Sequence, residues 1–461
     1  MESNQEMLEH GSFAKLAFRL GLPTIVIMLV MVIYNMADTF FIGQTQDPGK
    51  LAAVSLCAPI FTMLSGIGTL LGSGGCTAIS IALGRRDTKQ IKAYTSICCA
   101  GSLLLGAAFS AVIIAMISPV SALLGAGPDT MAYTRSYLGI IAGGAPIILF
   151  NNVFTNIIRA DGAARESMMA NAIGTITNIL LDAVFILIFS WGVAGAAIAT
   201  VIGNTAGSLY LLWYIRKKQT AFSLSPKDII LKKEIILPLI TLGLPLACST
   251  LLISCSGMIS NRFLISYGSI PLAAQGISGK IGMLISMTAM GICMGFQPAV
   301  SFNYGRGNKK RLYELIKKIG ILTVAVGSIL TTICFLFRIP LISLFIKNSE
   351  VTGYAETMIL APLITGPFTG LYQLCQTFLQ STGKASYATF AALLDKGILY
   401  IPMLFIMKSV FGLYGIVFSS AVTFIFSLSV STFLCLKWNK SISHTPTASS
   451  SEPALKKRLY A

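Results

Sequence analysis

Two aspartates stand where aspartates are expensive. Asp38 closes an apolar run in which no side chain from Leu20 to Ile33 carries a charge, and Phe40, Phe41, Ile42 and Gly43 follow it. It lies about 7 Å from the end of its helix at ~1.5 Å per residue. Asp182 sits about eight residues from the end of another apolar run, a comparable depth. An ionised carboxylate in hydrocarbon costs on the order of 2.5–3.5 kcal/mol, so such a group faces a cavity or a partner and marks an ion path. Neutral ligands accompany both. Tyr34 and Asn35 precede Asp38 by four and three residues and share its helical face. Asn178 stands four residues before Asp182, and Asn171 and Thr175 continue that face. Two carboxylates among oxygen and amide ligands suit Na⁺, held by Asp38, Asp182 and Asn178. They suit H⁺ equally, because neighbouring carboxylates removed from water share protons. Ser or Asn would tie helices together more cheaply, since such contacts average ~0.6 kcal/mol. The expected chemistry is reversible binding of a cation.

The elements that must position these groups are membrane helices. The chain has 461 residues, 54% of them hydrophobic and 11% charged, with a mean hydropathy of +0.77. Soluble domains carry about 25% charged residues. Twelve apolar runs are long enough to cross a bilayer: 14–43, 51–83, 91–118, 130–158, 163–190, 192–215, 235–267, 271–304, 312–338, 354–382, 385–408 and 411–437. The acidic opening (Glu2, Glu6, Glu9) is unlike a secretory leader, and none is expected. With the N-terminus placed in the cytoplasm, 26 of the 34 Lys and Arg fall on cytoplasmic flanks, five fall outside and three lie within spans. That split satisfies the positive-inside rule and predicts both termini in the cytoplasm. The net charge of +17 therefore belongs to loops and does not signal nucleic acid. The only histidines, His10 and His444, lie in the tails, and no cysteines form a C-x-x-C, so no metal site, cofactor or enzymatic centre is expected.

The chain also repeats itself. Leu20-Gly21-Leu22-Pro23 recurs 222 residues later as Leu242-Gly243-Leu244-Pro245. Leu51-Ala52-Ala53, Gly84-Arg85 and Gly162 recur at an offset of 221, and Gly195 at 220. Each half holds six spans, an even number, so the halves share one orientation. The expected fold is all-α integral membrane, with two six-helix lobes related by a pseudo-two-fold axis along the membrane normal. Such parallel repeats suit alternating access. The predicted organisation is an N-terminal lobe (1–218), a cytoplasmic amphipathic linker (219–234), a C-terminal lobe (235–440) and a disordered basic tail (441–461).

The ordered set of short motifs resembles the multidrug and toxic-compound extrusion (MATE) transporters. It comprises Leu20-Gly21-Leu22-Pro23, Asn35-Met36-Ala37-Asp38, Ala82-Leu83-Gly84-Arg85-Arg86, Arg159-Ala160-Asp161-Gly162, Asn178-Ile179-Leu180-Leu181-Asp182 and Gly192-Val193-Ala194-Gly195-Ala196-Ala197. The resemblance implies a V-shaped pair of lobes. It also implies export of small organic cationic drugs from the cell against inward H⁺ or Na⁺, by a monomer in the plasma (inner) membrane. It adds Tyr34, Thr200 and a fourth-span residue at Thr155 or Asn156 to the coupling set. Many relatives place a proline after the fifth-span aspartate, where this chain has Ala183, which puts a proline-dependent bend in doubt.

The second half lacks a matching carboxylate pair. The repeat mate of Asp38 falls near Ser260, and the embedded charges are Arg262, Lys280, Asp395 and Lys396. Asp395 is expected to pair with Lys280 or Arg262 as a structural or gating ion pair. The embedded bases also leave open an alternative reading, a lipid-linked oligosaccharide flippase of related fold.

Overall fold

The computed structural model describes residues 4–43, 45, 47–217, 221–343 and 349–443, with the backbone alone for 4, 32–40, 43, 48, 51, 269 and 440–443. A short helix α1 (Asn4–His10) precedes a helical and π-helical lead-in, Phe13–Leu16 and Ala17–Gly21. The long elements then follow in order: α2 (Leu22–Gly43), α3 (Pro48–Gly84), α4 (Thr88–Ala115), α5 (Pro128–Arg159), α6 (Ala164–Asp182) and α7 (Gly192–Lys217). The second half supplies α8 (Lys233–Ile265), α9 (Ser269–Arg306), α10 (Lys309–Leu336), α11 (Leu360–Ser381), α12 (Ala385–Leu393) and α13 (Tyr400–Ser443). Aspartates and asparagines start several of them. Asp47 Oδ1 accepts from Gly49 N (2.9 Å), Asp87 Oδ1 from Gln90 N (3.0 Å) and Asn308 Oδ1 from Arg311 N (3.1 Å). Each cap satisfies an N–H that the first helical turn leaves open.

Eleven runs among the described residues are long and apolar enough to cross a membrane, and the last, Ala385–Asn439, spans 55 residues. At ~1.5 Å per residue that run is far longer than the ~30 Å hydrocarbon layer needs. It divides at Gly412, whose backbone (φ 57°, ψ −129°) is not helical. Gly412 is the repeat mate of Gly192, which opens α7 with φ 54°. The last run is therefore two crossings, and the spans among the described residues number twelve. The same logic explains why Gly162 and Gly383 recur. Both end a span in the left-handed region, with φ 76° and 80°, where only glycine sits without strain.

The chain forms two compact units. One comprises Met1–Met7 and Val26–Gly243, the other Leu8–Ile25 and Leu244–Ala461. In the first, α5 is the central helix and packs against α3, α4 and α7. In the second, α11 takes that place and packs against α9, α10 and α13. The division falls inside the seventh span, and the opening of the first span belongs with the second unit. Close backbone packing accounts for both. In the first unit Leu239 and Gly243 lie against α3: a Cβ on Gly74 would stand 2.1 Å from the Leu239 carbonyl oxygen, and one on Gly243 1.9 Å from that of Leu70. In the second, Leu20 and Gly21 lie against α9, and a Cβ on Gly295 would stand 2.7 Å from the Leu20 oxygen. Gly74 and Gly295 are themselves 221 residues apart, so the repeated motifs mark these closest approaches.

Among the described residues of the linker, one 3₁₀ turn, Pro226–Asp228, precedes the start of α8 at Lys233. The linker is anchored to α4, where Ser96 Oγ donates to Ser223 O and Ser223 N to Thr95 Oγ1, both at 3.0 Å. Residues 219–220 of the linker and 444–461 of the tail lie outside the described residues.

Candidate ion-binding site

Inside the first unit, α2, α3, α5, α6 and α7 enclose a cavity of about 200 Å³. Its wall on α2 is apolar, formed by Ile27, Met28 and Met31. The opposite walls are amide-rich: Asn151, Asn152 and Asn156 from α5, Asn171 and Asn178 from α6, and Asn204 from α7. Thr155, Thr175, Thr200 and Arg159 add to them.

Asp182 is fully buried, and Asn178 and Thr200 are nearly so. With the Asn178 nitrogen turned to the carboxylate, it donates to Asp182 Oδ2 (3.2 Å), while the Asn178 oxygen accepts from the Thr200 backbone N–H (3.2 Å). One amide thus links the aspartate on α6 to the backbone of α7. Asn178 and Thr200 line the cavity, and Asp182 lies one turn beyond them. The close approach of α6 and α7 makes this possible, since a Cβ on Gly203 would meet the Gly174 carbonyl oxygen at 2.6 Å and the Asn178 Cβ at 3.0 Å. Immediately after Asp182 the helix widens into a π-helical stretch, Ala183–Ile188. Irregularity at this point therefore needs no proline. Insertions of this type inside helices often coincide with functional sites.

On α5, Asn151 Nδ2 donates to Asn204 Oδ1 (3.0 Å) and Asn156 Nδ2 to Asn152 O (2.8 Å). Arg159 is buried and its guanidinium donates to Asn156 Oδ1. Thr155 and Asn156, between which the fourth-span position was left open, both line the cavity. Asn151, Asn152, Asn204 and Arg159 were not among the expected ligands. For Asn152 and Arg159 the signal lay in the spacing: Asn152, Thr155, Asn156 and Arg159 fall at i, i+3, i+4 and i+7 on one face of α5. Tyr34, Asn35 and Asp38 lie on α2, and their side chains are outside the described residues.

At the end of α5 marked by Arg159, Asp161 occupies the turn into α6. Burial pushes its carboxyl up to about 6 from 3.8, against a side-chain hydrogen bond from Gln5 that draws it down. The native state therefore holds a proton that the unfolded chain releases between those values. Stability from this group is present in full below 3.8 and is lost as pH rises through about 6. Thermal unfolding in detergent at about pH 4.5 and about pH 7 measures it. Asp161→Asn is expected to flatten the difference between the two; an unchanged slope would place the titration elsewhere.

In the second unit the ion pair differs from expectation. Asp395, which is buried, pairs with its neighbour Lys396 at 2.7 Å. Arg262 and Lys280, the partners expected for it, are exposed. Adjacent residues on an α-helix do not face one another, but this pair sits in a π-helical turn, Leu394–Ile398. Tyr372 lies beside Asp395, its hydroxyl held by Gln376 Nε2 at 3.0 Å. Lys396 thus has its charge committed to Asp395, which removes one base from a phosphate-binding reading. Lys396→Met leaves the buried Asp395 carboxylate without its ion-pair partner and should cost roughly 3 kcal/mol. The double change with Asp395→Asn should recover most of it, since neutralising both members of an ion pair is often tolerated. Thermal unfolding of the four proteins of the cycle checks both values.

Fold and cavity together define a polytopic helical membrane protein with duplicated six-span halves and a polar pocket in the first. The MatE family model matches residues 23–184 and 245–406, two stretches set 222 residues apart like the repeats. The chain is 31% identical over 411 residues to a multidrug export protein MepA of Staphylococcus saprophyticus, covering 89% of this chain and 91% of that one. It has the same identity over 412 residues, with the same coverage, to a MepA of Staphylococcus aureus. A crystal structure of a MATE in complex with MaL6 superposes with a TM-score of 0.90 at 23% identity, covering 95% of this chain and 99% of that one. This chain belongs to the MatE family.

Proposed function

We propose that this protein is a secondary active exporter of organic cations that works by alternating access, with the Asp182–Asn178–Thr200 group and Asp38 as the site of the driving H⁺ or Na⁺. The observation that carries this reading is the buried carboxylate linked to an amide-lined cavity within membrane spans. Its volume, about 200 Å³, is below the 300–1,000 Å³ of typical ligand pockets. It is ample for an ion with several waters, at ~30 Å³ each. The relatives named multidrug export proteins support the substrate class.

Magnitudes constrain the cycle. At ~100 mV, inside negative, exporting one monovalent cation costs ~2.3 kcal/mol, which one entering ion only cancels. Each tenfold of drug gradient costs ~1.4 kcal/mol more. Accumulation therefore requires a chemical ion gradient or more than one ion per cycle, and two carboxylates permit the latter. The test is movement of a fluorescent organic cation in inverted vesicles under separately imposed pH, Na⁺ and voltage gradients. Uphill movement should follow a pH or Na⁺ gradient. Movement solely down the cation's own gradient would overturn the proposal.

A further inference from the structure

We propose that the outer face of α10 and α11 binds one anionic phospholipid, with its headgroup on Lys310 and Lys317 and an acyl chain in the groove beneath. A groove of about 650 Å³ runs between these two helices, floored by Gly320 and walled by Ile321, Val324, Leu371 and Leu374. Lys317 lines its end. The glycine keeps the floor open: a Cβ there would meet nothing nearer than Leu374 Cδ2 at 3.4 Å.

Charge decides the occupant. From Ile319 to Phe337 no side chain is Asp, Glu, Lys, Arg or His over 19 residues, about 28 Å of helix against a hydrocarbon layer of ~30 Å. Lys317 therefore sits at headgroup level, with its aliphatic stem along the groove and its ammonium at the phosphates. Its basic neighbours are largely committed. Arg306 pairs with Glu9 (3.1 Å), Arg311 with Glu314 (2.9 Å) and Lys318 with Glu314 (2.7 Å). Lys310 and Lys317 are exposed, and no carboxylate of the described residues pairs with either. They stand seven residues apart, two turns along one face of α10. Paired unneutralised cations above an apolar groove match a phosphodiester carrying acyl chains, and basic pockets between membrane helices bind such headgroups.

The test uses the full-length protein in mild detergent, titrated with phosphatidylglycerol, phosphatidylcholine or glycerol phosphate and followed by native mass spectrometry and thermal unfolding. Phosphatidylglycerol should leave one retained adduct and raise the unfolding temperature, phosphatidylcholine should bind far more weakly, and glycerol phosphate should not bind. Lys310→Gln with Lys317→Gln should weaken phosphatidylglycerol roughly thirtyfold, since each surface base contributes roughly fivefold. Lys317→Arg should preserve binding. Gly320→Leu, which fills the groove and leaves the bases intact, should weaken it again. Equal retention of the two lipids, or lysine variants that bind phosphatidylglycerol like the parent, would overturn the proposal. So would glycerol phosphate displacing the lipid fully, because the groove would then contribute nothing.

Discussion

Asp182→Asn is expected to reduce ion-driven export to the passive leak while leaving the protein folded in the membrane. The substitution is nearly isosteric and removes only the ionisable group. Asn178 could still donate to the carbonyl oxygen of the new amide, so the link between α6 and α7, 3.2 Å on either side of Asn178, is expected to persist. A position that merely cross-linked helices would tolerate this change, because a neutral amide satisfies the same bond. A position that takes up and releases a cation would not. The measurement is uptake into proteoliposomes under an imposed pH or Na⁺ gradient, normalised to folded protein. Asp182→Glu should retain part of the coupling, since it keeps the charge on a longer stem. Asn178→Ala should fall between the two, because it removes both the donor to Asp182 and the acceptor for Thr200 N. Coupled export by Asp182→Asn at the parental rate would reduce the group to a structural bolt.

Much of this fold was legible in the sequence because the bilayer is so restrictive a solvent. Only closed hydrogen-bonding structures cross it, so apolar length counts the helices. Even the one place where twelve runs merge into eleven is decided by Gly412, whose mate Gly192 opens the sixth span. The site was partly legible for the same reason. Asp182 and Asn178 stand out in an apolar run because each would cost free energy if left facing lipid. The asparagines of α5 and α7 were less conspicuous, since a neutral amide is a milder anomaly than a carboxylate and any one of them could serve packing. Partner choice was not legible. Lys280 and Arg262 were the partners expected for Asp395, and the π-turn geometry selects its neighbour Lys396 instead. Nor could the sequence assign the first turns of the leading spans to their units. Leu-Gly-Leu-Pro announces a close approach but not the helix approached.

That close approach yields the second large effect. Gly243→Ala places a methyl 1.9 Å from the Leu70 carbonyl oxygen, and Gly74→Ala places one 2.1 Å from that of Leu239. In both cases the obstruction is backbone within a packed helix, so no rotamer change relieves it. The helices must part by more than 1 Å, or the residues must distort, and overpacking of this kind costs about 1–3 kcal/mol. Gly257 supplies the opposite sign on the same helix α8. A Cβ there meets nothing within 4 Å, and exchanging glycine for alanine in an unobstructed helix interior gains roughly 0.5–1 kcal/mol. Thermal unfolding of the three variants should therefore rank Gly257→Ala above the parent, with Gly74→Ala and Gly243→Ala below it. Helix propensity alone would raise all three. Only steric contact at the repeated motif separates them, so a Gly243→Ala protein as stable as Gly257→Ala would mean that α8 does not pack against Leu70 as closely as described.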